Sequence, residues 1–222
     1  MKYIAVLFAS AFLATLASAS QPSVVEKYGS IQYTGVDGIT RTLTDGGNYR
    51  EPVLSPDGRT VAFIHQDSDG IEEGDRGLTS LWIADGLTGT IRRLIGPSRN
   101  TEPHLNFAFF EKPIFSLDGG FVYVSADAWV TSSAVHQVNI ATGKERFVID
   151  GRAIAVIRTG RYRGYLLVRR REYRPAPHFG SYNPVYVVRP DAKEIFLVPG
   201  SDKDDGEQSV SRWLDANGWK AW

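Results

Sequence analysis

The side chains that could do chemistry are few and scattered. Four histidines, His65, His104, His136 and His178, lie far apart, and no H-E-x-x-H or H-x-H pair joins any two of them. Such pairs put two imidazoles on one metal or one reacting group, so a histidine site here must be assembled from distant segments. Cysteine is absent, which removes thiolate ligands, thiol nucleophiles and disulfides together. No G-x-S-x-G occurs, so a hydrolase serine has no strand–turn–helix to sit on. His65 and His136 fall in or beside apolar runs and read as surface or satisfied core histidines. His104 and His178 fall in long loops and are more open to a binding role.

Two charged segments complete the inventory. Asp67, Asp69, Glu72, Glu73 and Asp75 crowd one stretch, and oxygen-rich loops bind Ca²⁺. With Gly70 as the sixth position of an EF-hand loop, His65 falls first and Arg76 twelfth, where carboxylates are required. A solvated hairpin tip is the expectation, with no metal site; Asp202 to Glu207 fails the same test. The basic segment holds Arg152, Arg158, Arg161, Arg163, Arg169, Arg170, Arg171 and Arg174, interleaved with or followed by Tyr162, Tyr165, Tyr173, Phe179 and Tyr182. Arginine with aromatics can bind anionic or flat ligands. In a strand, Arg169 and Arg171 face one side and Arg170 the other, which splits the patch.

These residues need elements to hold them. The chain has 222 residues, room for one domain or two. Its 25 basic and 25 acidic residues cancel, which argues against nucleic acid as a partner. A hydrophobic content of 42% with 12% aromatics excludes a mainly disordered chain. Lys2, the apolar stretch Ile4 to Leu16 and Ala17-Ser18-Ala19 read as a secretory signal cleaved after Ala19. No other apolar run approaches the roughly 20 residues of a spanning helix. Residues 20–222 are therefore expected as one exported domain, periplasmic or secreted, without a membrane span.

That domain reads as strands. Short runs rich in Val, Ile, Phe and Tyr alternate with Gly, Asp, Asn and Pro punctuation, and no sustained helical period is present. The runs repeat. Glu51-Pro52-Val53-Leu54-Ser55-Pro56-Asp57-Gly58 opens one unit, and Lys112-Pro113-Ile114-Phe115-Ser116-Leu117-Asp118-Gly119 opens the next. Each unit closes with strand, polar turn, strand; the turns are Leu87-Thr88-Gly89-Thr90 and Ala141-Thr142-Gly143-Lys144. A third, degenerate unit carries Arg158-Thr159-Gly160 and Asp191-Ala192-Lys193-Glu194 at the matching places.

Ser55-Pro56-Asp57-Gly58 followed by Thr60 to His65, then Leu81 to Asp85 and Thr88 to Leu94, resembles the repeat of TolB-type β-propellers. The same repeat occurs in propeller domains of prolyl-oligopeptidase-like peptidases. The resemblance implies all-β blades of four antiparallel strands and says little about activity. Ser30 to Thr34 and Thr40 to Thr44 look like the last two strands of a further blade. Arg212 to Trp222, with Leu214 to Gly218 aligned on Leu54 to Gly58, looks like the missing first two. Four blades closed by both termini are thus expected; an open propeller that dimerises is the alternative.

Three insertions interrupt the repeat: 67–79, 96–111 and 172–183. In a propeller all three connections emerge on one rim. Tyr173, Arg174, His178 and Tyr182 on the third, with His104, Phe107 and Phe109 on the second, are the expected contacts for a protein or cell-envelope partner. The expected function is a non-enzymatic exported propeller, an inhibitor or scaffold, needing no cofactor. The alternative is a hydrolase or lyase built from histidines and carboxylates at the same rim.

Overall fold

Turn chemistry sets the frame. The computed structural model describes residues 20–70, 76–129, 132–174, 176–177, 179–203 and 206–221. The signal segment, 71–75 of the acidic insert and His178 lie outside these described residues. At Ser55 the hydroxyl donates to the Asp57 carboxylate at 2.5 Å and accepts from the Thr60 amide at 2.8 Å. Ser116 does the same with Asp118 and Phe121, at 2.5 and 3.0 Å. Gly58 and Gly119 sit at φ of 73° and 71°, a conformation that glycine adopts without steric penalty. The recurring tetrapeptide is thus one turn built twice, and it reverses the chain from the first strand of a blade into the second.

The strands follow in order. The first sheet is β1 (Ser23–Lys27), β2 (Ser30–Thr34) and β3 (Thr40–Thr42). The second is β4 (Tyr49–Leu54), β5 (Thr60–Ser68), β6 (Leu78–Asp85) and β7 (Ile91–Ile95). The third is β8 (Phe110–Phe115), β9 (Phe121–Trp129), β10 (Ser132–Asn139) and β11 (Glu145–Asp150). In the fourth, β12 (Arg152–Val156) and β13 (Leu166–Arg169) are followed by a small hairpin, β14 (Glu172–Tyr173) and β15 (Ser181–Tyr182). β16 (Val185–Val188) and β17 (Ile195–Leu197) then complete that blade. All pairings are antiparallel.

Blades stack face to face, so both faces of a central blade must be apolar. β5 shows why its run is nearly continuous. Val61 and Phe63 pack with Ile31, Tyr33 and Leu43 of the first sheet. Ala62 and Ile64 pack with Phe110, Phe115 and Val122 of the third. The next layer joins Val135 and Ile149 to Ala153, Leu166 and Val188 of the fourth sheet.

The termini depart from the expected closure. Gly206–Ala216 is a helix, α1, and it overlaps the Arg212 to Trp222 stretch expected as two strands. Val210, Trp213 and Leu214 share one helical face and pack on Leu167, Val185, Val187 and Val198 of the fourth blade. The Leu214 to Gly218 stretch that resembles a blade turn is the helix C-terminus. Trp219 N–H bonds to Leu214 C=O at 2.9 Å, and Gly218 N–H to Asp215 C=O at 3.0 Å. With Gly218 at φ 66°, this is a Schellman cap. A glycine after short polar residues serves either motif, which is why the sequence pattern misleads here.

The first sheet also holds one strand more than expected. β2 and β3 match the last two strands of a blade and β1 the second; among the described residues no innermost strand pairs with them. The first and last sheets share no strand pairing among the described residues. The propeller is open. The outward face of the first sheet is mostly polar, with Thr34 and Thr40 hydroxyls bonded at 2.9 Å beside Gln32 and Thr42, and with Val25 exposed opposite Gln32. A polar outer face at one end and an apolar-faced helix at the other are how a stacked array avoids further stacking.

The turn carboxylates give a pH test. The serine hydroxyls and following amides hold Asp57 and Asp118 below the usual carboxylate range. A folded pKa below the unfolded value, about 3.9, adds stability above that pH and loses it as pH falls further. Melting temperature should therefore drop on acidification through this window. The Asp57→Asn/Asp118→Asn variant should show a shallower drop, and an unchanged slope would refute the assignment.

Candidate functional site

Inner strands carry the first group. β4 and β8 both bulge at their second residue, and Glu51 and Lys112 sit at φ 54° and 52° just before proline. Bulges re-aim the side chains beside them. The Glu51 carboxylate accepts from the Lys112 amide, stapling the two bulges. Arg50 bonds Glu51 at 2.5 Å. One bulge on, Glu111 is 8% exposed and holds Arg76 at 3.3 Å and Arg152 at 2.6 Å. Arg76 also pairs with Asp127, at the far end of β9. Burial pushes the Asp127 carboxyl up, against the pull of Arg76. Phe109, 8% exposed, lies between the guanidiniums of Arg50 and Arg76, at 4.8 and 4.0 Å from its ring centre.

This network ties the first insertion to the second. The Thr79 amide donates to the Ala108 carbonyl at 3.0 Å, and the Asp127 amide to the Phe109 carbonyl at 3.1 Å. Carboxylates paired with arginines, packed beside buried phenyl rings, make a structural floor rather than a reactive pair, although Glu111 Oε1 meets Arg152 by charge without a hydrogen bond. Glu111, Arg76 and Asp127 were not among the expected site residues. The signal was present: a lone glutamate inside the apolar run Phe109 to Phe115 must find a buried partner.

The second insertion folds over the third blade. His104 follows Pro103 in a 3₁₀ turn and meets Phe147 edge-on at 5.9 Å. Phe107 stacks on Phe110 at 5.9 Å and meets His136 at 5.0 Å. His136 is fully buried, with Nδ1 2.5 Å from the Glu145 carboxylate and Nε2 without a partner. A histidine oriented by a carboxylate has the geometry of a general base. Here Phe107 and Phe147 cover the ring, so it sits in the core instead. His65 likewise rests between Tyr49 and Trp82, with Asp67 at 3.0 Å. Among the described residues no hydrogen bond joins two histidines, and no metal-ligating cluster of three forms.

The third insertion stands out from the rim. Its β14–β15 hairpin leaves Tyr173 70% and Phe179 88% exposed. Arg174 lies over the Tyr182 ring at 5.0 Å and Arg171 over Tyr173 at 5.9 Å. The basic segment divides as its alternation requires. Arg169 and Arg171 face one cleft with Arg152, while Arg170 turns away onto Tyr186 and Glu172. Of the expected contacts, Tyr173, Arg174 and Tyr182 thus come together on the hairpin, His104 lies apart on the third blade, and Phe107 and Phe109 lie beneath the rim.

Comparison with known proteins bears on the fold. No family model and no curated protein matches the sequence. Among solved structures, TolB from Acinetobacter baumannii is 15% identical with a TM-score of 0.50, over 76% of this chain and 37% of that one. Dipeptidyl peptidase 4 from Porphyromonas gingivalis is 8% identical with a TM-score of 0.55, over 81% and 31%. The acylaminoacyl peptidase of Pyrococcus horikoshii, in its orthorhombic crystal form, is 11% identical with a TM-score of 0.50, over 76% and 27%. In each case this chain spans well under half of the other. At such identities the likeness is one of fold: TolB-like β-propeller blades. It joins TolB and two peptidases alike, so it assigns no chemistry.

Proposed function

We propose that this chain is an exported, non-catalytic propeller module that binds a protein or cell-envelope partner through its insertion-bearing rim. One observation carries the reading: an arginine–aromatic hairpin stands exposed on a rim that an ion-pair network centred on buried Glu111 braces. Aromatics and arginine dominate interface energies, and a rigid base lowers the ordering cost of binding. Export rests on Lys2, the apolar stretch and Ala17-Ser18-Ala19. No helix among the described residues is long and apolar enough to cross a membrane. Tyr173, Arg174, Tyr182 and His178 form the contact in this reading. His104 flanks it, and Phe107 and Phe109 support it from below.

The test is capture from envelope extract with the chain beginning at Ser20. Tyr182→Ala or Arg174→Ala should weaken partner binding by more than about 1 kcal/mol. Both should shift folding stability by under roughly 0.5 kcal/mol, since both sit on the small hairpin outside the core clusters. A captured partner indifferent to both changes would place its site elsewhere.

A further inference from the structure

We propose that the cleft between the hairpin and α1 takes an extended acidic peptide segment of the partner, its carboxylates against the arginines. The inference rests on the rim reading and gives that partner its chemistry. A cleft of about 530 Å³ lies here, lined by Arg169, Arg174, Tyr182, Asn183 and Lys203. A second, of about 240 Å³, shares Arg169 and Asn183 and adds Arg152 and Arg171. The two clefts adjoin at these shared residues. Five cations line them, Arg152 already paired with Glu111 and Arg169 with Glu207, and Glu207 is the one carboxylate in the described lining. The chain as a whole is neutral, so this local excess of cations favours anions at this place.

Glu207 shows how a carboxylate is received. Its exposed side chain lies on the Arg169 guanidinium, whose hydrogen bond holds the Glu207 carboxyl below its usual range. Arginine presents a planar fork that matches carboxylate geometry, and four of the five cations are arginine. Arg174 is pre-set over Tyr182, which limits the entropy lost when an anion binds. The wall decides for a peptide. Among the described residues β15 pairs with β14 alone, which leaves its other edge unpaired, and Ser181, Tyr182 and the following Asn183 line the cleft. An extended peptide can add main-chain hydrogen bonds to such an edge while alternate side chains reach into pockets.

The experiment measures fluorescence anisotropy of a labelled Glu/Asp-rich peptide, its Gln/Asn counterpart and an oligouronate of equal charge. The acidic peptide should bind at least about tenfold more tightly than the amide peptide and weaken with salt. Arg171→Ala/Arg174→Ala should lose about tenfold or more, with the melting temperature unchanged. Glu207→Gln should instead tighten binding severalfold, because it releases Arg169 from its internal carboxylate. Equal binding of both peptides, indifference to these changes, or stronger binding of the oligouronate overturns the inference. If a captured partner depends on Tyr182 while no acidic peptide binds, the rim reading stands and this one falls.

Discussion

Removing Gly218 to Trp222 is expected to lower the melting temperature by roughly 10 °C or more, at about 2–4 °C per kcal/mol for a chain of this size. Among the described residues no fifth blade packs on the fourth, and its outer apolar face is covered by the C-terminal segment. Trp219 completes an aromatic cluster there, meeting Tyr162 at 5.3 Å and Trp213 at 5.1 Å. Ala221 is buried in the same layer. Lys220 bonds back to the turn before β13: the Arg158 amide donates to its carbonyl at 2.6 Å, and its own amide donates to Thr159 Oγ1 at 2.9 Å. Deletion strips this cover, half-buried Trp219 and buried Ala221 included, and uncaps α1 together; loss of a fully buried aromatic costs about 3–5 kcal/mol, and these combined losses are of that order. Gly160→Ala supplies an independent arm. A Cβ there would lie 2.1 Å from the Trp219 ring, at a φ of 83°. It should destabilise in the same direction without shortening the chain. Thermal melts followed by tryptophan fluorescence read both, and a truncated protein melting like the intact one would mean the segment covers nothing essential.

How far the sequence could have led depends on which periodicity each segment obeys. Strand positions were legible because a blade's demands are local. A turn needs Ser, Asp and Gly at fixed spacing, and Ser55 to Gly58 and Ser116 to Gly119 meet that need with identical bonding. The C-terminus was not legible from the repeat, because Asp215-Ala216-Asn217-Gly218 satisfies a blade turn and a helix cap equally. What decided it was tertiary. Val210 and Leu214 find an apolar sheet face waiting, whereas a strand there would have had to reach β1 at the other end of an open array. At the site, the exposed hairpin was readable from Arg and Tyr inside an insertion. The ion-pair floor was not, since Glu111, Asp127 and Arg152 come from three separate strands and Arg76 from the loop before β6, and they meet only through blade stacking.

That floor yields the second large effect. Phe109→Ala should destabilise the fold by about 3–5 kcal/mol, as expected for truncating a buried phenyl ring. The loss is more than volume. Arg50 and Arg76 each lie over a face of that ring, and Arg76 spans Glu111 and Asp127. Without the phenyl, two guanidiniums lose their spacer and Glu111 keeps its buried charge with looser partners, a costly arrangement in a low-dielectric setting. Phe109→Leu, which retains most of the volume but no π face, should fall between. This separates support from contact. A residue that supports the rim should lower the melting temperature and weaken partner binding together, while Tyr182→Ala should weaken binding alone. If Phe109→Ala melts like wild type yet loses the partner, Phe109 touches the partner directly, and the rim must open far enough to expose a ring now held between two arginines.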